Sequence, residues 1–149
     1  MIFKYSFKKK SICKGNAELD GNSIILGRFE GGDEMRKAIL KEESKRKLYK
    51  LFLDNSGNYA KVSVIENGAL SFVTSACISI YYCIRDGVLY FSDLMIDIEN
   101  IAADSNQMDI DSIYYYIASG NYPPLEFTFW DNIKKIPGEH DVIIDRAGG

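Results

Sequence analysis

The chain has 149 residues, 46% of them apolar, and a formal charge of -3, a length and composition suited to one folded domain with a core of its own. No stretch approaches the roughly 18 apolar residues of a membrane-spanning helix, and no h-region of a signal peptide opens the sequence, so a cytoplasmic protein is expected. Cys13, Cys77 and Cys83 form no CxxC or Cys/His pattern, which leaves no zinc or disulfide framework and predicts reduced, mostly buried thiols. The charge is uneven: residues 1 to 83 hold fourteen Lys/Arg against nine Asp/Glu, and residues 84 to 149 hold four against twelve. The basic residues fall mainly on the first strand and on one polar helix face, without aromatic interleaving, so nucleic acid is not an expected partner.

Taken in order, "MIFKYSF" alternates as a strand and "SIILG" (23–27) reads as a second, more buried one. The period then changes in "GGDEMRKAIL", where Asp33 is the expected N-cap of a helix with Met35, Ile39 and Leu40 on one face and Arg36, Lys37 and Lys41 on the other. "SKRKLYKLFLD" continues as helix through Leu48, Leu51 and Phe52.

From Asn58 the pattern is strand: "NYAKVSVI", "ALSFVTSA", "ISIYYCI" and "VLYFS". Asn67-Gly68 and Asp86-Gly87 are hairpin signals, because primed turns need positive φ. One four-strand antiparallel meander is the expectation, with Cys77 and Cys83 in its strands. Ser92 is then the expected cap of a helix through "DLMIDIENIAA", and Asp109 or Asp111 that of "SIYYYIAS", which stops at Gly120. A Pro-rich turn and a last apolar strand close the chain. Strands and helices segregate, which predicts the α+β class: antiparallel β-sheets with packed helices.

Three pieces carry a family resemblance: Ile80-Tyr81-Tyr82, the run "GVLYFSD" from Gly87 to Asp93, and "TFWDNIKKIPGEH" from Thr128 to His140. Over about 90 residues their order and spacing resemble the latter part of the N-terminal glutaminase (class II glutamine amidotransferase) domain of the asparagine synthetase, β-lactam synthetase and lasso peptide cyclase family. The resemblance implies a single glutaminase-like domain over 1–149, shortened before Asp33, with a shortened N-terminal-nucleophile-hydrolase-like sandwich. It makes Tyr81, Tyr82, Gly87, Tyr90, Phe91, Trp130, Pro137 and Gly138 structural, and gives Trp130 and His140 packing and turn roles. It also implies a synthetase-type, ATP-using domain or subunit as partner. No membrane or nucleic-acid partner is implied, and self-association is a further way to cover an exposed sheet face.

The family's chemistry needs an N-terminal cysteine whose thiolate attacks the glutamine amide with the free α-amine as base. Here Met1 precedes Ile2, and Cys13 would take that role only after processing. The family's oxyanion Asn-Gly pair matches Leu26-Gly27, its Arg-Asp pocket element has become "FVTSACISIYY", and no "SGGxDS" pyrophosphate loop is present. The expectation is a catalytically silent domain without metal or cofactor, acting by binding in peptide or small-molecule modification. Its alternatives are an amidohydrolase using Cys13, or a free-standing interaction protein whose C-terminal Gly148-Gly149 is functional. Shortening before Asp33 would leave the face of Val62, Val64, Leu70 and Phe72 uncovered, which is where a partner is expected.

Overall fold

The computed structural model describes residues 1–15, 17–19, 21–54, 57–104 and 107–146. In chain order the strands are β1 (Phe3–Ser6), β2 (Ser11–Lys14), β3 (Ala17–Glu18), β4 (Ser23–Phe29), β5 (Gly57–Val64), β6 (Leu70–Thr74), β7 (Ile80–Arg85), β8 (Val88–Ser92), β9 (Lys134–Ile136) and β10 (Asp141–Ile144). The helices α1 (Asp33–Lys41) and α2 (Lys45–Leu53) follow β4, and α3 (Met95–Ala102) and α4 (Ile110–Ser119) follow β8. Antiparallel sheets with segregated helix pairs make the fold mixed α+β. No helix among the described residues is long and apolar enough to cross a membrane.

Contacts group these elements into two units, Met1–Leu19 with Ser79–Pro137, and Asp20–Ile78 with Gly138–Gly149. The first holds a six-stranded sheet in the order β3-β2-β1-β8-β7-β9. Its β7–β8 hairpin follows the sequence signal closely. Arg85 pairs with Val88 across Asp86-Gly87, whose φ angles of 53 and 72 are those a primed two-residue turn requires. Beside it β1 aligns Phe3 with Phe91 and Tyr5 with Leu89, and the Phe3 and Phe91 rings stack with centroids 5.6 Å apart. On one face of β7, buried Cys83 joins Ile98 and Ala102 of α3 and Ile133, with Tyr81, Tyr90 and Trp130 packed around them.

The second unit holds a four-stranded sheet in the order β10-β6-β5-β4. Its core joins Ile25, Tyr59 and Val73 from the sheet to Ile39, Leu48 and Phe52 from α1 and α2. Phe52 and Phe29 meet the Tyr59 ring edge-on at 4.9 and 5.0 Å, the T-shaped geometry favoured by the aromatic quadrupole.

The chain departs from its sequence pattern in several places. The expected meander is two hairpins in different sheets, since β5 and β6 belong to one and β7 and β8 to the other. After Thr74 the Ser75 N–H donates to the Tyr59 carbonyl and its Oγ accepts from the Tyr59 N–H. The chain then turns at Ala76-Cys77, and the outer edges of β6 and β7 are taken by β10 and β9. Cys77 is therefore an exposed turn residue rather than a strand residue.

Around Asn67-Gly68 only the glycine has positive φ, 78. Gly68 N–H donates to Ile65 O and Asn67 Oδ1 accepts from the Ala69 N–H, so this loop is longer than a two-residue turn. Asp33 is the first residue of α1, capped by Gly32 without a side-chain bond; its carboxylate favours the helix through the positive end of the dipole instead. Ser92 ends β8 and accepts from the Leu94 N–H ahead of α3, whose N-cap is Leu94. Val62, Leu70 and Phe72 are fully buried and Val64 is half-buried, so the face expected to lie open is already out of water. Two short strands, β2 and β3, also lie between β1 and β4, where the sequence pattern marked no strand.

Candidate functional site

Cys13 lies mid-strand in β2, half-buried, opposite Lys4 on one side and Glu18 on the other. Processing ahead of it would remove β1, which joins β2 to β8 and supplies the buried Phe3 and Tyr5. A nucleophile exposed that way would sit in a sheet stripped of a central strand. Leu26-Gly27 belongs to β4, and glycine is required there by packing: φ is 95, and a Cβ would lie 2.3 Å from the Asn58 carbonyl oxygen and 2.6 Å from Ile78 Cδ1.

Tyr81, Tyr82, Tyr90 and Phe91 sit at neighbouring register positions of β7 and β8, and burial raises the pKa of both Tyr81 and Tyr82. Cys83, next along β7 and opposite Tyr90, has its thiol pushed up to about 11 by burial. Trp130 is half-buried, and its Nε1–H donates to Glu99 Oε1 at 2.7 Å. Pro137 ends the first unit and Gly138 begins the second stretch of the other. His140 is exposed; its backbone exchanges hydrogen bonds with Thr74, and its ring Nδ1 lies 2.7 Å from the Gly138 carbonyl oxygen. Among the described residues no three His, Cys, Asp or Glu side chains gather as a metal site requires. The terminal Gly148-Gly149 pair lies outside the described residues.

A different feature stands out in α4. Asp109 caps it through Oδ1, which accepts from the Asp111 and Ser112 N–H groups at 3.1 and 3.2 Å, while Ser112 Oγ donates to Oδ2. The backbone bond from Ser112, together with the other cap bonds, holds the Asp109 carboxyl below its usual range. Gly120, at φ 70, ends the helix and donates to the Tyr116 carbonyl. The helix is tied down by the cap, by the Asp109 N–H to the Phe129 carbonyl, and by a bridge between Met108 and Trp130. Tyr116 meets Phe129 at 5.5 Å and Tyr122 at 6.2 Å.

The only buried residue of this largely apolar helix is a serine, Ser112. Ile110, Tyr114 and Ile117 are 71%, 72% and 74% exposed. Their i, i+4, i+7 spacing puts them in one stripe. A helix so apolar is ordinarily buried, and here its stripe faces solvent. In the same unit Met108, Tyr122 and Leu125 are also more than half exposed, and Leu125 adopts φ 53, uncommon for a residue other than glycine or asparagine. The stripe was legible as helix in the sequence but not as surface, because the same spacing describes a buried face.

The acidic bias of the chain falls on the stretch of sequence that includes this helix, although Lys134 lies near enough to help lower the Asp109 carboxyl. Between Arg85 and Lys134 there is no Lys or Arg, while nine Asp and Glu fall in that interval. The arrangement offers apolar contact. No protein-family model matches the chain, and no curated protein matches its sequence.

Proposed function

We propose that the chain is a catalytically silent glutaminase-like domain that works by binding, with an ATP-dependent, asparagine-synthetase-type amide-forming protein as partner in peptide or small-molecule modification. The observation that carries the binding role is the solvent-facing apolar stripe of α4, which a chain working alone in water has no physical reason to maintain. The likeness to the glutaminase family, and the sandwich arrangement and cytoplasmic setting that go with it, rest on the spaced motifs of β7, β8 and the Thr128 to His140 segment. The two antiparallel sheets with paired helices are compatible with them.

Silence is supported by Leu26 in place of an oxyanion donor and by the position of Cys13 inside a sheet that needs β1. Affinity capture from the native source tests the reading. A protein with a pyrophosphate-loop synthetase domain should co-purify stoichiometrically, and the chain should release no glutamate from glutamine. Capture that repeatedly lacks any such synthetase, or glutaminase activity abolished by Cys13→Ala, would refute it.

A further inference from the structure

We infer that α1 and α2 form a lid on the four-stranded sheet, able to lift while the strands stay paired, because two polar side chains of β5 are kept out of water beneath it. The inference holds whether or not the chain binds a synthetase.

Tyr59 and Lys61 alternate onto the same face of β5, the face that Ile39, Leu48 and Phe52 cover. The Tyr59 ring is fully buried, and its hydroxyl meets no hydrogen-bonding group of the protein. Lys61 lies between Ile25 of β4 and Val73 of β6 and is 5% exposed. Its Nζ donates to the Glu42 carbonyl at 2.5 Å, in the linker between the two helices. Among the described residues that is its one side-chain bond, for a group with three N–H donors. Burial pushes the amine below its ordinary range, with the Glu42 and Glu43 carboxylates acting in the opposite direction. A buried phenol without a protein partner and a buried ammonium with one partner both forgo hydration that an open lid would return.

The helices themselves are held lightly. Each has nine residues, and neither Gly32 nor Ser44, their N-caps, makes a side-chain cap bond. The first turn of α2 carries Lys45, Arg46 and Lys47 and no acidic residue, the wrong sign for the positive end of a helix. Gly31 and Gly32 precede α1 and supply the backbone freedom a hinge uses. The lid is closed by the apolar contact of Ile39, Leu48 and Phe52 with Ile25, Tyr59 and Val73, joined by the Lys45–Asp141 ion pair to β10. None of these contacts belongs to the β10-β6-β5-β4 ladder, so they can be lost with the sheet intact.

Amide exchange of the full chain in native buffer, read by mass spectrometry, is the test. Amides of α1 and α2 should exchange about tenfold or more faster than those of β5 and β6, with a weaker dependence on added urea. Tyr59→Phe removes the unpaired hydroxyl and keeps the ring, and Lys61→Met removes the charge and keeps the stem. Either should slow exchange in α1 and α2 about fivefold or more. Val62→Ala, on the opposite face of β5, is the control: it should speed exchange in β5 and β6 and leave α1 and α2 unchanged, because Val62 stays buried when the lid lifts. Lysine acetylation by an N-hydroxysuccinimide ester, mapped by peptide mass, gives a second readout. Lys61 should be modified in the folded protein, and more slowly in Tyr59→Phe.

The proposal fails if α1, α2, β5 and β6 exchange through one common opening, or if both Tyr59→Phe and Lys61→Met leave exchange in the helices unchanged. It also fails if Lys61 is modified only in urea that unfolds the sheet. Faster exchange of the helices in Val62→Ala would overturn it as well, since they would then open only with the strands beneath them.

Discussion

Replacing Gly138 with alanine puts one methyl group where a backbone already lies. An added Cβ would stand 2.1 Å from the Ala76 carbonyl oxygen, 2.6 Å from its carbon and 2.9 Å from the Ser75 oxygen, whereas ordinary contact begins at 3.4 Å. Alanine has no χ angle through which to escape, so the turn must retreat by about 1 Å. The hydrogen bonds within reach of that shift are those that dock β10 on β6: Glu139 N–H to Ser75 O at 3.2 Å, Thr74 N–H to His140 O at 3.0 Å, and His140 N–H to Thr74 Oγ1 at 2.9 Å. At roughly 1 kcal/mol net for each bond, losing two or three with some residual strain gives a destabilisation of about 2 to 4 kcal/mol. Urea unfolding followed by far-ultraviolet circular dichroism reads it as a lower midpoint with an unchanged slope, and amide exchange in β10 should accelerate. Glu139→Gly is the control: at φ 60 it relieves a left-handed residue and should change stability by less than about 1 kcal/mol. A Gly138→Ala protein within about 0.5 kcal/mol of wild type would show that the close approach to Ala76 has no energetic weight.

Trp130→Ala should cost about 2 to 3 kcal/mol, below the range for a fully buried aromatic because the ring is only half-buried, and His140→Ala should be nearly neutral because its sheet bonds are made by the backbone; both are read by urea unfolding. Asp109→Ala should remove about 1 kcal/mol at neutral pH. Because the folded carboxyl is held below its ordinary value, this contribution is fully present above the unfolded pKa of roughly 4 and is lost as pH falls through the folded value. The difference between wild type and variant should therefore close in acid, and a penalty independent of pH would rule out a carboxylate cap. In native protein a thiol reagent should label exposed Cys77 quickly and buried Cys83 only on unfolding; rapid labelling of both would contradict the packing against α3.

What the sequence by itself determined is what short-range physics determines. Asp86-Gly87 has the residues that tolerate a primed turn, so the β7–β8 hairpin could be read directly. Asp109 or Asp111 could be read as the start of α4 and Gly120 as its end, because a carboxylate satisfies orphan N–H groups and a glycine ends a helix at positive φ; the structure chose Asp109 as the cap. Alternating apolar residues marked β5 to β8 as strands, and the change of period marked α1 and α2. Where a signal was shared between neighbouring positions the reading slipped by a residue or two, as at Asp33 and Ser92, since the cap depends on the backbone angles of one residue.

The tertiary structure decided what depends on residues far apart in the chain. Whether β6 continues to β7 or receives β10 turns on competition for one strand edge, and Asp141–Ile144 lies more than sixty positions from its partners on Leu70–Thr74. Nothing local to "ALSFVTSA" encodes that outcome. The burial of Val62, Leu70 and Phe72 and the exposure of Ile110, Tyr114 and Ile117 are of the same kind, because hydropathy states how much a side chain gains by leaving water and the assembled fold states whether a cover is present. The candidate site was for that reason the least legible feature: its helix was written in the sequence, and its open face was left by the packing of everything around it.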